Sequence, residues 1–181
     1  MKPTDQSDER LLDSFARGDH AALGELALRY EPLLLGLACG MLGRDGALAC
    51  DAVQETWVRV IRNAAKFRKE SAVKTWLYRI TLNCCKDLLA QKKRRSAVEA
   101  NSDSPAGAAG ESEGDERRRR IHAAVQALPL DTRALVLLCY QNGMTHAAAA
   151  EVLRIPVGTL KSRLHAALAE LRPLLESEVT P

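Results

Sequence analysis

The spacing of hydrophobic residues predicts helices along almost the whole chain. Leucines recur at three- and four-residue intervals over residues 8–37, around a break at Gly18-Asp19, which predicts two helices. Similar apolar stripes predict a third helix over residues 47–65 and a long one over residues 75–93. Residues 67–73, between these two, are too polar and too irregular for a helix and predict a loop.

The second half of the chain is organised differently. Residues 96–116 are rich in Ala, Gly, Ser and acidic side chains, a composition typical of a flexible linker. Beyond it, the apolar spacing and Pro129 predict one helix that ends at Leu128 and another over residues 132–140. We therefore predict an all-α protein of two small helical domains, residues 1–95 and 117–181, joined by a flexible acidic linker at residues 96–116.

Residues 144–171 predict two helices joined by a tight turn, which is a helix-turn-helix. Thr145 is a suitable N-cap for the first helix, and Pro156 ends it because proline disfavours a helical residue before it. On the second helix the apolar residues share one face, by their spacing: Val157, Leu160, Leu164, Leu168 and Leu171. The opposite face is small or hydrogen-bonding, with two flanking cations: Gly158, Thr159, Lys161, Ser162, Arg163, His165, Ala166 and Ala169. A merely solvated face usually carries Glu and Lys, so this pattern favours contact with DNA.

The net charge of +3 is small, but it is unevenly distributed. Residues 1–65 carry −3, residues 66–95 carry +8, residues 96–116 carry −6 and residues 117–181 carry +4. In the basic block, one side of the predicted long helix carries a stripe of basic residues with uncharged residues between them, and no acidic residue: Thr75, Arg79, Asn83, Lys86, Ala90 and Lys93. Acids four residues away that could pair with these cations are largely missing, which favours nucleic acid over simple solvation.

Composition disfavours several other classes of protein. There is no run of about eighteen apolar residues, so we expect a cytoplasmic protein. The five cysteines and four histidines show no zinc-site or nucleophile spacing, and no phosphate-binding glycine pattern occurs. We therefore expect no catalytic residue, no metal, no cofactor and no small-molecule substrate, and we interpret the cysteines as small buried hydrophobic residues.

Four groups of residues, in the same order and at the same spacing, resemble bacterial RNA polymerase sigma factors of the extracytoplasmic-function group. They are DAVQETW at residues 51–57, TWLYRI at 75–80 with Asn83 and Asp87, Leu128-Pro129 with Arg133, and IPVGTLKSRL at 155–164. The resemblance covers about residues 8–95 and 117–172. One group alone would be a weak signal, whereas four in order are specific.

The resemblance implies a role for each polar surface. The core polymerase, through its β′ clamp helices and β flap, would be one partner and promoter DNA the other. The residues implied for clamp binding are Asp51, Gln54, Glu55 and Arg59. Those implied for the −10 element are Arg68, Lys69, Glu70 and Ser71, in a loop that captures a flipped base, and Arg79, Asn83, Lys86 and Lys93 on the following helix. Those implied for the −35 element are Thr159, Lys161, Ser162, Arg163 and His165.

Other expectations follow from the same resemblance. Such sigma factors are commonly held inactive by an anti-sigma factor, often a membrane-bound one. Two departures from the family pattern, Ala148 for a frequent Glu and Ala166 for a frequent Arg, predict fewer −35 contacts and more reading of DNA shape.

The adjacent Cys84 and Cys85 are also unusual, but neighbouring helical residues have poor geometry for a disulfide. The linker acids suit either mimicry of RNA charge in the polymerase channel or a solvated tether: Glu99, Asp103, Glu111, Glu113, Asp115 and Glu116.

An alternative class of function is a stand-alone helix-turn-helix regulator that binds an operator. In that case the N-terminal domain would serve as a sensor or a dimerisation unit. This alternative leaves the +8 block of the N-terminal domain unexplained, and a dimer would require a paired palindromic site.

Overall fold

A computed structural model describes the backbone of residues 6–43, 45–98 and 113–176, and every regular element in those ranges is a helix. Side-chain burial is described for residues 6–43, 45–95 and 119–173. The linker acids named above lie outside these side chains, so both interpretations of the linker stay open. Among the described helices, none combines the length and the apolar character needed to cross a membrane.

Within the described residues, the N-terminal domain is built from four helices and one short turn. They are α1 (Asp8–Ala16), α2 (His20–Leu42), α3 (Gly46–Asn63), the 3-10 turn Ala64–Lys66 and α4 (Val73–Val98). Polar side chains at the helix starts accept backbone hydrogen bonds: Asp19 from Ala21 N at 3.0 Å and Asp45 from Leu48 N at 3.2 Å. The predicted break between α1 and α2 is present, and Gly18 permits it by adopting a φ of 103°.

The core of this domain is formed by residues that repeat at helical spacing. Fully buried large side chains come from all of the longer helices: Leu12, Leu26, Leu34, Leu37, Met41, Val60 and Leu77. Burial of each such side chain contributes about 1.5–3 kcal/mol, so the amphipathic stripes are sufficient to hold the helices together. Thr56 and Thr81 are buried too, and each hydroxyl donates to a carbonyl oxygen one helical turn earlier.

The C-terminal domain is a second helical unit. It consists of α5 (Glu113–Ala127), α6 (Leu130–Val136) continued by a π turn (Leu137–Gln141), α7 (His146–Leu153) and α8 (Val157–Glu176). The last two helices are the predicted helix-turn-helix, and Thr145 caps α7 by accepting a hydrogen bond from Ala148 N at 3.2 Å. Helix α4 continues to Val98 and α5 begins at Glu113, so both extend into the segment predicted as linker.

Two residues differ from the sequence prediction in their exposure. Thr75, placed on the cationic stripe, is 3% exposed. Helix α4 is covered by α1, α2 and α3 and by α7 of the C-terminal domain, and Tyr78 on the same helix is fully buried too. Val157, placed on the apolar face of α8, is 40% exposed because it is the first residue of the helix and lies beyond the packed turns.

The two domains contact each other directly. Helix α4 packs on α7, and α2 packs on the π turn. Polar contacts cross between α4 and the C-terminal domain: Tyr78 Oη donates to Asn142 Oδ1 at 3.1 Å, Arg79 Nη2 donates to Glu151 O at 2.9 Å, and Lys86 Nζ lies 2.7 Å from Asp131 Oδ1. The side of α4 that carries the −10 candidates Arg79 and Lys86 therefore faces the C-terminal domain.

Candidate functional site

A shallow concave surface between α3 and α4 brings together most of the residues predicted for clamp binding. Asp51, Glu55 and Arg59 line it from α3. Arg59 Nε donates to Glu55 Oε1 at 2.8 Å, and Arg59 Nη2 donates to Asp87 Oδ2 at 2.9 Å. The hydrogen bond to Glu55, followed by the one to Asp87, raises the pKa of the Arg59 guanidinium. The result is a fixed, half-exposed cation between two carboxylates, which suits a charged helical partner.

The other residues of this surface were only partly found from the sequence. Gln54 is exposed on α3 but does not line the concavity, whereas Asp87, Leu88 and Gln91 of α4 do. Their signal in the sequence is their spacing along α4, which places Asp87 and Gln91 one turn apart. The predicted clamp-binding residues lie on α3 alone, whereas the surface in the structure is a groove between α3 and α4.

The loop after the 3-10 turn is anchored to α1. Lys69 has a left-handed backbone, with φ of 57°, and its Nζ lies 2.5 Å from Asp13 Oδ2. At the end of the loop, Val73 N donates to Glu9 Oε1 at 3.4 Å. Both contacts fix the loop against the domain, so Lys69 holds the loop in place.

A groove of about 560 Å³ opens beside this loop. The loop contributes Arg68, Glu70 and Ser71 to it, and α4 contributes Arg79 and Asn83. One wall is aromatic, because the rings of Phe67 and Trp76 pack with centroids 5.0 Å apart. The groove is large enough for a flat ring, and its wall combines an aromatic surface with hydrogen-bonding groups, as recognition of an unstacked base requires. Glu151 and Arg154 of the C-terminal domain close its other side.

Arg79 lies at the centre of the site. Its Nη2 is bonded to Glu151 O, but its buried Nε has no hydrogen-bond partner among the described residues. Burial, and then the nearby charge of Arg154, lower the pKa of Arg79 below its ordinary value. Two cations held side by side, one with an unused donor, favour an anionic ligand such as a phosphate.

The remaining −10 candidates lie further along α4. Asn83 is exposed, and Lys86 is half-exposed and paired with Asp131. Both line a smaller cavity of about 220 Å³ between α4 and the C-terminal domain, together with Arg154 and Arg163. Lys93 is exposed about two helical turns beyond Lys86 and lines neither cavity.

The helix-turn-helix presents its polar face as predicted. Arg154 forms the turn in a left-handed conformation, with φ of 54° and ψ of 44°. On α8, Thr159 is partly exposed and Lys161, Ser162, Arg163 and His165 are exposed. The opposite face is buried through Leu160, Leu164, Ala167 and Leu171. Four of the five −35 candidates are therefore exposed to a ligand, with Arg163 also lining the cavity beside α4.

The cysteines do not form a reactive site in the described residues. Cys84 and Cys85 are buried, and burial raises the pKa of the Cys85 thiol to about 12. Cys50 is exposed, so the interpretation of all five cysteines as buried is wrong at that position, which lies on the outer face of α3. Among the described residues no three His, Cys, Asp or Glu side chains could hold a metal ion together.

Two family models match the chain, and each covers one domain. Sigma-70 region 2 matches residues 26–95, and sigma-70 region 4 matches residues 118–171. The RNA polymerase sigma-H factor of Pseudomonas aeruginosa is 33% identical over 192 residues, covering 95% of this chain and 97% of that protein. The ECF RNA polymerase sigma-E factor of Haemophilus influenzae is 29% identical over 191 residues, covering 97% and 96%.

Two solved structures share the fold of most of the chain. CnrH, solved in complex with the cytosolic domain of CnrY, superposes with a TM-score of 0.73 at 24% identity over 96% of this chain and 99% of that one. The sigma factor RpoE of Bartonella quintana, solved in complex with the anti-sigma factor NepR, gives 0.69 at 22% identity over 86% and 98%. With both sigma regions in order and a relative that is 33% identical along its length, the chain belongs to the sigma-70 family, as an RNA polymerase sigma factor of the extracytoplasmic-function group.

Proposed function

We propose that this sigma factor binds core polymerase through the α3–α4 surface and reads its promoter with one polar surface in each domain. The observation that carries the proposal is that each family region of this chain has a separate polar surface of its own. A protein that must hold duplex DNA at two places needs two such surfaces joined by a tether. The domain boundaries at residues 1–95, 96–116 and 117–181 are part of this proposal.

The −10 element is assigned to the groove beside the 67–72 loop. Extrusion of a base costs a few kcal/mol, which the groove must offset by stacking and hydrogen bonds. The Phe67–Trp76 wall supplies an apolar surface, and Glu70, Ser71 and Asn83 supply acceptors and donors. Arg79, Lys86 and Lys93 contact phosphates of the separated strand.

The −35 element is assigned to α8, which enters the major groove of duplex DNA. Its small exposed residues allow the helix backbone to approach the base edges closely. Thr159, Ser162 and His165 contact base edges or the backbone, and Lys161 and Arg163 contact phosphates.

The rest of the assignment follows from family membership. The chain carries no reaction of its own, acts in the cytoplasm on the core enzyme and contacts the β flap with its C-terminal domain. We also propose control by an anti-sigma factor. RpoE was solved in complex with the anti-sigma factor NepR, and CnrH was solved in complex with the cytosolic domain of CnrY. A partner of this kind would have to cover the α3–α4 surface or hold the two domains together.

In vitro transcription tests the proposal. Purified core polymerase is incubated with genomic fragments, with and without the protein, and RNA starts are mapped. We expect new starts that share motifs near −10 and −35. The variant Asn83→Ala should weaken these starts while core binding in a pull-down stays unchanged, whereas Arg59→Ala should weaken core binding itself. Core binding without any start would contradict the assignment of the DNA surfaces.

A further inference from the structure

The smaller cavity, of about 220 Å³, gathers positive charge between α4 and the helix-turn-helix. Its polar lining comes from both domains: Arg79, Asn83, Lys86, Asp131, Arg154 and Arg163. These side chains comprise four cations and a single carboxylate, a net charge of +3. Two buried side chains, Leu82 and Val152, form an apolar part of the wall. An apolar wall lowers the local dielectric, which strengthens the interaction of these charges with one another and with any ion between them.

The protein neutralises these cations only in part. Asp131 pairs with Lys86, whose Nζ lies 2.7 Å from Asp131 Oδ1. In the part of the chain that the structure describes, neither Arg154 nor Arg163 forms an ion pair. The cavity therefore holds guanidinium groups whose charge no carboxylate of its own lining offsets.

Arg79 is the cation of the cavity whose hydrogen bonding is incomplete. Its Nη2 donates to the backbone carbonyl of Glu151 at 2.9 Å, whereas its buried Nε has no hydrogen-bond partner among the described residues. The carboxylate of Glu151 belongs to a residue that lines the neighbouring groove and not this cavity. Burial, and then repulsion by Arg154, lower the pKa of Arg79. An anion in the cavity offsets this repulsion, and its oxygens are acceptors for the guanidinium donors.

The volume and charge of the cavity select a small anion. Pockets for drug-sized molecules have about 300–1,000 Å³, so a cavity of about 220 Å³ suits a compact group. A phosphate group carries about −1.5 to −2 at pH 7, so two linked phosphates match the +3 of the lining, whereas one leaves an excess of positive charge. Arginine suits this ligand, because its planar guanidinium can bind two phosphate oxygens side by side.

A larger molecule can use the cavity for its phosphates alone. The groove of about 560 Å³ shares Arg79, Asn83 and Arg154 with the cavity, so the two spaces adjoin. The aromatic wall of Phe67 and Trp76 lies in the groove. A free diphosphate and a nucleoside diphosphate therefore offer the same chemistry to the cavity and differ only in what reaches the groove.

We propose that the cavity between α4 and the helix-turn-helix binds a diphosphate group, held by Arg79 and Lys86 from one domain and by Arg154 and Arg163 from the other. The ligand bridges the domains, because its oxygens accept hydrogen bonds from both. This site goes beyond the proposed function, since binding of a diphosphate by the free protein requires neither polymerase nor DNA.

Isothermal titration calorimetry of the full-length protein with sodium pyrophosphate tests the site. The test variant is Arg163→Gln, at an exposed position of α8, and the matched control is Arg62→Gln, at an exposed position of α3 that lines neither cavity. Both variants remove one guanidinium group, so they change the net charge equally. We expect saturable binding by the wild type and by Arg62→Gln, and about tenfold weaker binding by Arg163→Gln through loss of a charge-assisted hydrogen bond.

A second pair of variants tests the opposite sign. Asp131→Asn removes the carboxylate of the cavity and releases Lys86, so pyrophosphate should bind about fivefold more tightly. Glu31→Gln removes a carboxylate at an exposed position of α2 and should leave the affinity unchanged. Misfolding cannot mimic a gain of affinity. Hydrogen exchange locates the ligand, because pyrophosphate should slow exchange in α4 and in the turn at residues 152–155 together.

Other ligands separate the two sources of a diphosphate. Sulfate and orthophosphate carry less charge and should bind at least about tenfold more weakly than pyrophosphate. GDP that binds as tightly as pyrophosphate supports a site for the diphosphate group alone. GDP that binds more tightly, and also slows exchange in the 67–72 loop, supports a nucleoside diphosphate whose base lies in the groove.

Two results would overturn the proposal. One is pyrophosphate binding that does not saturate or is no tighter than binding of sulfate. The other is an equal loss of affinity in Arg163→Gln and Arg62→Gln, which would mean that net charge alone attracts the anion. Neither result changes the RNA starts expected from in vitro transcription, so failure of this site and failure of the proposed function are distinguishable.

Discussion

Asp45 shows how one carboxylate fixes the start of a helix. It accepts a hydrogen bond from Leu48 N at 3.2 Å as the N-cap of α3, and its other oxygen lies 3.2 Å from Lys92 Nζ on α4. The hydrogen bond from Leu48, followed by that from Lys92, lowers the pKa of Asp45 in the folded protein. The ion pair is mostly exposed, so the cap is the larger contribution to stability.

Replacement of Asp45 should therefore lower the free energy of unfolding mainly through loss of the N-cap hydrogen bond, and less through loss of the ion pair with Lys92. We expect Asp45→Ala to lower the free energy of unfolding by about 1 kcal/mol at pH 7, and Asp45→Asn, which keeps the cap, to lower it by much less. Because the folded pKa lies below the unfolded one, the contribution of the charge is present above about pH 4 and is lost as the pH falls through the folded pKa. Urea unfolding at pH 7 and at pH 3 measures both effects. A difference between wild type and Asp45→Asn that grows at pH 3 would contradict this.

At the scale of elements, the turn of the helix-turn-helix carries a backbone conformation that its residue type disfavours. Arg154 is left-handed, where an L-residue other than glycine costs roughly 1–2 kcal/mol. The turn keeps this geometry because Arg154 N bonds to Glu151 O at 3.3 Å and Ile155 N bonds to Ala150 O at 3.1 Å, which closes α7.

We expect Arg154→Gly to raise the stability of the chain by about 0.5–1 kcal/mol, since glycine adopts this conformation freely but loses more entropy on folding. Arg154→Ala is the matched control, because it removes the same side chain and keeps the backbone penalty. Thermal unfolding by circular dichroism compares the three proteins. Equal stabilisation by alanine and glycine would show that the charge of Arg154 near Arg79, and not the turn, is what destabilises the chain.

The helices and their order could be predicted from the sequence, because each one carries its own local signals. The Gly18 break, the Thr145 cap and the Pro156 stop are all decided by residues close in the chain. The contact of Tyr78 with the C-terminal domain could not be predicted, since its hydroxyl donates to Asn142, which lies more than sixty residues away in the chain. The period of a single helix cannot reveal that both of its sides are covered.

The candidate site, like the fold, could be predicted from the sequence only in part. The exposed face of α8 follows from its helical period, and the structure agrees with it. The pairing of Lys69 with Asp13 and of Lys86 with Asp131 could not be anticipated, because each acid lies more than forty residues from its lysine. Reasoning from the sequence locates the polar residues, whereas their availability to a ligand is decided by the tertiary fold.

At the scale of the whole molecule, charge is separated along the chain into blocks of opposite sign. The block at residues 66–95 carries +8 and residues 117–181 carry +4, on either side of a segment of −6. Binding to a single strand and binding to a duplex should therefore depend on different lysines. Each phosphate contact releases counterions, so the slope of log affinity against log salt counts the contacts at each surface.

Two matched variants separate these surfaces in the complex with core polymerase. We expect Lys93→Gln to reduce the salt slope by about 0.7 on the single-stranded −10 element and to leave the slope on a −35 duplex unchanged. Lys161→Gln should do the reverse, reducing the duplex slope by about 0.9. Both lysines are exposed, so neither substitution should disturb the fold. Anisotropy titrations between 50 and 300 mM salt, on probes taken from a mapped promoter, provide the four slopes. Equal changes on both probes would mean that each lysine acts through net charge alone, and would remove the basis for assigning the two DNA elements to separate domains.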